Sequence, residues 1–210
     1  EAVKQAALSG KTDLQEIGVF LGSFDPETVG EKGVSGPTAE ALRELVLRQV
    51  EFKARIVSGD TKEAAGRTDA RSRKILNFGH TTAHALEKAT GYSYFRHGEA
   101  VGYGILAAAE ISKRLELCPA DSIDLLNDVV RSVGVLPVAE NISIHDVLSS
   151  IEHDKKAAGN AVQWILLEDI GSPVILSGSE IPPEVIRESI EHAISQRSVA
   201  TSRLEPTSSP

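Results

Sequence analysis

The chain has 210 residues (22.4 kDa), 41% of them hydrophobic and 25% charged, with a formal net charge of −8 and one cysteine. That is a globular composition, long enough for one substantial core, and no apolar run approaches the roughly 20 residues that cross a bilayer. One cysteine excludes an internal disulfide framework and fits a reducing, cytoplasmic setting. The acidic balance argues against nucleic-acid binding but leaves room for a local basic pocket that takes a small anion.

Residues 1–8, EAVKQAAL, read as a helical segment with no capping residue before it. With no methionine and no signal-peptide pattern, this reads as a chain cut from something longer. A second helix is expected after Pro37, with Thr38 as N-cap and Leu42, Leu45, Val46, Gln49 and Val50 on one face, ending at Ser58-Gly59-Asp60. Residues 59–73 are polar and turn-rich, the pattern of a loop. After Gly79, the positions Thr82, Ala83, Ala85, Leu86 and Ala89 predict a helix ending at Gly91. The next helix runs from His97 toward Pro119. Its Gly102, Gly104 and Ala107–Ala109 are small residues that let another element approach closely, so it is expected to be central and buried.

Further helices are expected from Ser122 to Arg131, after a Ser143 cap, and after Pro182-Pro183. Between them the period changes to two. Val162, Trp164 and Leu166 alternate, a Gly-Ser-Pro turn follows, and Val174, Ile175 and Leu176 complete a small β-hairpin. The fold class is therefore mainly α. Residues 1–194 form one multi-helical domain with a hairpin, and the polar, Pro/Ser-rich 195–210 form a disordered tail. Trp164 and the Tyr92–Phe95 stretch read as packing residues, and Cys118 as a small buried hydrophobe.

The chemistry concentrates in His80, His84 and His97. Four residues apart on a helix, His80 and His84 share a face, and the connection before His97 is short enough to bring it back beside them. Imidazoles bind zinc, and a catalytic zinc commonly has three protein ligands and an open position; Glu99, Glu87 and Glu1 are the candidate carboxylates. On spacing alone an i, i+4 histidine pair is more often only a helix face, and His145, His153 and His192 read as surface residues.

Around these histidines the chain resembles 3-dehydroquinate synthase, a sugar-phosphate cyclase family. The resemblance rests on Lys74–His80 (KILNFGH), His84–Glu87 (HALE) and His97–Val101 (HGEAV). Lys53–Val57 (KARIV) with Asp60, and Asp154–Lys156 with Gly159 and Ile170-Gly171, follow in the family's order. It implies the mainly helical C-terminal metal- and substrate-binding half of such an enzyme, with the NAD-binding α/β domain absent from this chain. On it, Glu1, His80 and His97 are the metal ligands for Zn2+ or another divalent ion such as Co2+. His84 carries a proton and Glu63 is its acidic partner in catalysis. Lys4, Lys53, Arg73, Asn77 and one or both of Lys155 and Lys156 contact the substrate.

The implied enzyme is a homodimeric, cytoplasmic, NAD- and zinc-dependent lyase of the shikimate pathway of aromatic amino acid biosynthesis. It converts 3-deoxy-D-arabino-heptulosonate 7-phosphate to 3-dehydroquinate and phosphate, and the half alone is expected to be inactive. Rival readings are a cyclase making a cyclitol, a metal-dependent polyol dehydrogenase, and a non-catalytic helical module. One departure stands out: the loop between Glu63 and Arg73 is longer than the family usual. Asp69 competes with Glu63 for the acidic role, and Arg67 and Arg71 are either phosphate contacts or solubilising charges.

Overall fold

The computed structural model describes residues 1–24, 36–64, 66–158 and 161–195, without the side chains of 154–158. Eight α-helices appear among them: α1 (Ala2–Ser9), α2 (Lys11–Ser23), α3 (Gly36–Gly59), α4 (His80–Ala89), α5 (His97–Arg114), α6 (Ala120–Ser132), α7 (Ile144–Ala158) and α8 (Pro183–Ser195). A 3-10 turn, Arg73–Asn77, precedes α4. Between α7 and α8 lies an antiparallel hairpin of β1 (Gln163–Asp169) and β2 (Ser172–Ser177), with Trp164 opposite Leu176 and Leu166 opposite Val174.

The expected central helix is α5. Residues 100–109 are all buried, and α4, α6, α8 and β1 pack around it. Its small residues have a specific use. A Cβ on Gly104 would lie 1.8 Å from the Gly79 carbonyl oxygen, so the backbone before α4 rests directly on α5. Gly79 has φ +80°, a left-handed conformation that favours glycine, and its own Cβ would meet the Ile105 nitrogen at 2.8 Å. These two glycines fix where α4, and hence His80, begins. Ser112 joins α5 to the hairpin by donating to the Ala108 carbonyl (2.9 Å) and accepting from the Leu167 amide (3.1 Å). Thr81 ties α4 to the same strand through the Gln163 carbonyl (3.2 Å).

The hairpin also reaches α1. The Gly171 amide donates to the Ala7 carbonyl at 2.8 Å, and Gly171, at φ +90°, would place a Cβ 3.0 Å from the Gly10 Cα. The hairpin tip thus satisfies a carbonyl that the end of α1 leaves without a partner within the helix.

Several boundaries differ from expectation. α3 starts at Gly36, whose φ is +64°, so Thr38 lies inside the first turn and is not the N-cap. α5 stops at Arg114 rather than near Pro119, because Glu116 turns left-handed (φ +56°) and the Leu117 amide closes on Ser112. The Ser143 cap is present: its hydroxyl accepts from the Asp146 amide at 3.3 Å. α2 has no clear announcement in the sequence. Gly18 and Gly22 dilute its helical signal, yet Gly18 lets the Val129 side chain of α6 approach to within 3.0 Å of where its Cβ would be.

Trp164 and Phe95 are buried, but Tyr92 and Tyr94 are 70% and 51% exposed, so these two do not pack as expected. Tyr94 spends its hydroxyl on the Val138 carbonyl at 2.7 Å. Cys118 is buried, and burial pushes its thiol up to about 11, making it unreactive. No helix among the described residues is long and apolar enough to cross a membrane. The tail from 196 onward lies outside the described residues.

Candidate active site

One cleft of about 620 Å³ gathers Glu1 and Lys4 from α1, Lys53 from α3, Glu63 from the following loop, Arg73 and Asn77 from the 3-10 turn, and His80 from α4. Seven residues spread over 80 positions of sequence share one wall. Three cations face two carboxylates there, a local positive excess on a chain of formal charge −8. The side chains of Lys155 and Lys156, near the end of α7, lie outside the described residues.

The three histidines meet at the end of this cleft. The ring centres of His80 and His97 are 5.2 Å apart, those of His80 and His84 5.5 Å, and those of His84 and His97 6.1 Å. Two hydrogen bonds set their tautomers. His80 Nδ1 lies 3.2 Å from the Phe78 carbonyl and His97 Nδ1 lies 3.1 Å from Glu87 Oε1. Both partners can only accept, so each ring donates from Nδ1 and leaves Nε2 as the nitrogen available to a metal. Partners of this kind orient metal-binding histidines. Two imidazoles bound to one tetrahedral ion at about 2.0–2.1 Å would hold their ring centres about 5 Å apart, close to the His80–His97 separation.

The carboxylates sort themselves. Glu99 accepts from the Arg96 amide at 2.8 Å as part of the N-terminal cap of α5. Glu1 Oε2 lies 2.8 Å from Lys4 Nζ, and Glu1 Oε1 accepts from Gln5 Nε2 at 2.6 Å. Burial alone would raise the Glu1 carboxyl, but the hydrogen bonds from Lys4 and Gln5 and the charge of Lys4 hold it down at about 2. It is therefore ionised throughout the neutral range, as a ligand must be. Among the described residues, the set whose potential ligand atoms lie within 4.8 Å of one another is His84, Glu87 and His97. Glu87 also pairs with His97 Nδ1, and neither Glu1 nor His80 belongs to this set. The donor types around His80 and His97 fit a divalent ion of the zinc class.

His80 is pushed down to about 4, first by burial and then by the charges of Lys4, His84 and His97, against the opposing Phe78 hydrogen bond. Its ordinary value is 6.5, so between about pH 6.5 and 4 the folded protein binds fewer protons than the unfolded chain. Metal-free stability is expected to fall as the pH drops through that window. Melting temperatures measured from pH 7 to 4 should show the slope in the wild type and a flatter one in His80→Gln. An unchanged slope would remove His80 as its source.

The long loop holds itself together. The Asp60 carboxylate accepts from the Ala64 amide (3.0 Å) and the Arg73 amide (2.9 Å), and these bonds hold it below the usual carboxylate range. Arg67 spans from the Gly59 carbonyl (2.7 Å) to Asp69 (2.8 Å), so its charge serves the loop and not an anion. Asp69 is occupied by Arg67 and by the Arg71 amide, whereas Glu63 lines the cleft with its carboxylate 3.7 Å from Arg73 Nε. Glu63 adopts a left-handed φ of +48°, a conformation that non-glycine residues hold at some cost. The sequence pattern did not disclose Gln5 or the Glu87–His97 pair as working parts. Gln5 follows Glu1 by one helical turn, and Glu87 sits one turn past His84, which is the signal that was available.

Residues 1–157 match the family model described as 3-dehydroquinate synthase C-terminal. The chain is 38% identical over 152 residues to the 3-dehydroquinate synthase of Acidithiobacillus ferrooxidans, covering 72% of this chain and 40% of that protein. It is 42% identical over 130 residues to the one from Methylacidiphilum infernorum, covering 62% and 35%. The chain thus spans about 40% of the length of such relatives. Among solved structures, a 2-epi-5-epi-valiolone synthase from Streptomyces hygroscopicus with NAD+ and Zn2+ bound superimposes with a TM-score of 0.71 at 16% identity, over 91% of this chain and 49% of that one. A 2-deoxy-scyllo-inosose synthase complexed with carbaglucose-6-phosphate, NAD+ and Co2+ gives 0.62 at 21% identity, over 91% and 49%. At those identities the likeness concerns the fold. With the family model matched over three quarters of its residues, the chain belongs to the 3-dehydroquinate synthase C-terminal family.

Proposed function

We propose that the chain is the metal- and substrate-binding part of a 3-dehydroquinate synthase. The enzyme would convert 3-deoxy-D-arabino-heptulosonate 7-phosphate to 3-dehydroquinate and phosphate, in the cytoplasm, as a homodimer, within the shikimate pathway of aromatic amino acid biosynthesis. The observation that carries this reading is the single cleft in which Glu1, Lys4, Lys53, Glu63, Arg73, Asn77 and His80 face one another beside His84 and His97. Identities of 36–42% to relatives named 3-dehydroquinate synthase support this substrate over a cyclitol precursor, since the cyclitol-forming neighbours share only 16–21%.

In this reading Glu1, His80 and His97 would hold Zn2+ or Co2+, which would supply Lewis acidity at a substrate hydroxyl. NAD itself would be held by a nucleotide-binding part of the complete protein. The side chains described here do the rest. Arg73 grips an oxyanion with two donors, kept in place by Glu63 and by its own amide on Asp60. Lys4 and Lys53 place positive charge in the cleft for phosphate and carboxylate, and Asn77 takes a further oxygen. His84, one turn past His80, carries the proton lost and regained by the substrate. Lys155 or Lys156 would complete the anion contacts.

The test uses the protein expressed from its complete coding sequence. Supplied with the heptulosonate phosphate, NAD+ and Zn2+, it should release inorganic phosphate and form 3-dehydroquinate. A folded, metal-loaded protein that releases none would overturn the assignment, and turnover of a hexose phosphate instead would move it to a cyclitol-forming cyclase.

A further inference from the structure

Gln5 is only 2% exposed, an uncharged polar side chain that the fold buries almost completely. Its helix neighbours Val3, Ala6, Ala7 and Leu8 are buried apolar residues, so folding alone would favour a leucine or methionine at this position. The amide has one partner: Nε2 donates to Glu1 Oε1 at 2.6 Å. Because a carboxylate only accepts, the amino end must face Glu1, and the assignment of the two ends follows. The other end, Oε1, is buried with no hydrogen-bond partner among the described residues, although Gln5 lines the cleft. A buried, half-satisfied amide detracts from stability, and in native proteins such a group calls for a reason.

Glu1 supplies one. Its carboxylate emerges from the first turn of α1 half exposed, held on one oxygen by Lys4 and on the other by Gln5. Lys4 answers the charge, whereas Gln5, rigidly packed, sets direction. We infer that Gln5 is a positioning residue for the metal centre, its amide orienting the Glu1 carboxylate toward an ion shared with His80 and His97. This rests on the ligand set proposed above. It adds a residue that touches neither ion nor substrate and whose effect passes through Glu1.

The test is Co2+ binding to the protein expressed from its complete coding sequence, read from visible absorption bands and competition titration. The near-isosteric Gln5→Met should weaken Co2+ binding by about 10-fold or more, the usual scale for lost supports of metal ligands. Its metal-free melting temperature should stay level or rise, because the unsatisfied amide is gone. Gln5→Asn keeps an amide one methylene too short to reach Glu1, so it should show the same loss and decides the matter if Gln5→Met does not fold. In a Glu1→Gln background, Gln5→Met should have no further effect.

If the wild type binds no Co2+ at a site abolished by His80→Ala, the ligand set itself fails. If it binds and both Gln5 variants bind as tightly, or lose only stability, the positioning role is overturned. An equal loss in the Glu1→Gln background would overturn the route through Glu1.

Discussion

Gly104→Ala is expected to destabilise the protein by at least about 3 kcal/mol, beyond the usual range for an added core methyl. The reason is geometric. The new Cβ would sit 1.8 Å from the Gly79 carbonyl oxygen, a backbone atom on a residue itself wedged against Ile105. A side chain can swing aside; here α4 and α5 would have to separate. Gly98→Ala is the control, since a Cβ there meets nothing within 4 Å, and it should be neutral or slightly stabilising. Urea midpoints of the two variants provide the measurement. A Gly104→Ala protein within about 1 kcal/mol of wild type would show that the two helices are not locked through these glycines.

His84→Ala is expected to keep the metal and lose turnover by about 100-fold or more, the scale of a missing proton carrier. His80→Ala and His97→Ala should instead lose the metal. This contrast separates two arrangements that the geometry brings close together. The ring of His84 is 5.5 Å from His80 and 6.1 Å from His97, and one of its nitrogens lies within 4.8 Å of a Glu87 carboxylate oxygen and a His97 nitrogen. Metal analysis of purified variants alongside phosphate release distinguishes them. Loss of metal from His84→Ala would make it a ligand and would leave proton transfer to another group.

Much of this site was legible because its residues cluster in short stretches of sequence. The KILNFGH and HGEAV runs name His80 and His97 directly, and the glycines and alanines of α5 signal a helix that something touches closely. What touches it was not legible. The partner of Gly104 is a carbonyl 25 residues earlier, and no periodicity links positions 79 and 104. α2 was opaque for the opposite reason: its packing depends on Gly18 being small enough for Val129, which a propensity argument counts only as a weakness. The loop after α3 shows composition and topology parting company. Polar residues from 59 to 73 suggest a solvated connection, but Asp60, Arg67 and Asp69 close it internally, and that closure selects Glu63 over Asp69 for the cleft. Ligand chemistry could be guessed from residue types; which oxygen of Glu1 each neighbour occupies needed three dimensions.

The contact between Gly171 and the last turn of α1 gives the hairpin a second task. It acts as an end-stop. Helix α1 cannot slide along its axis without pressing Gly10 into that tip, and its opposite end carries the Glu1 carboxylate that lines the cleft. The reach of the Glu1 side chain into the cleft is therefore metered by a turn 170 positions downstream, so that the hairpin calibrates the placement of a wall to which it does not belong.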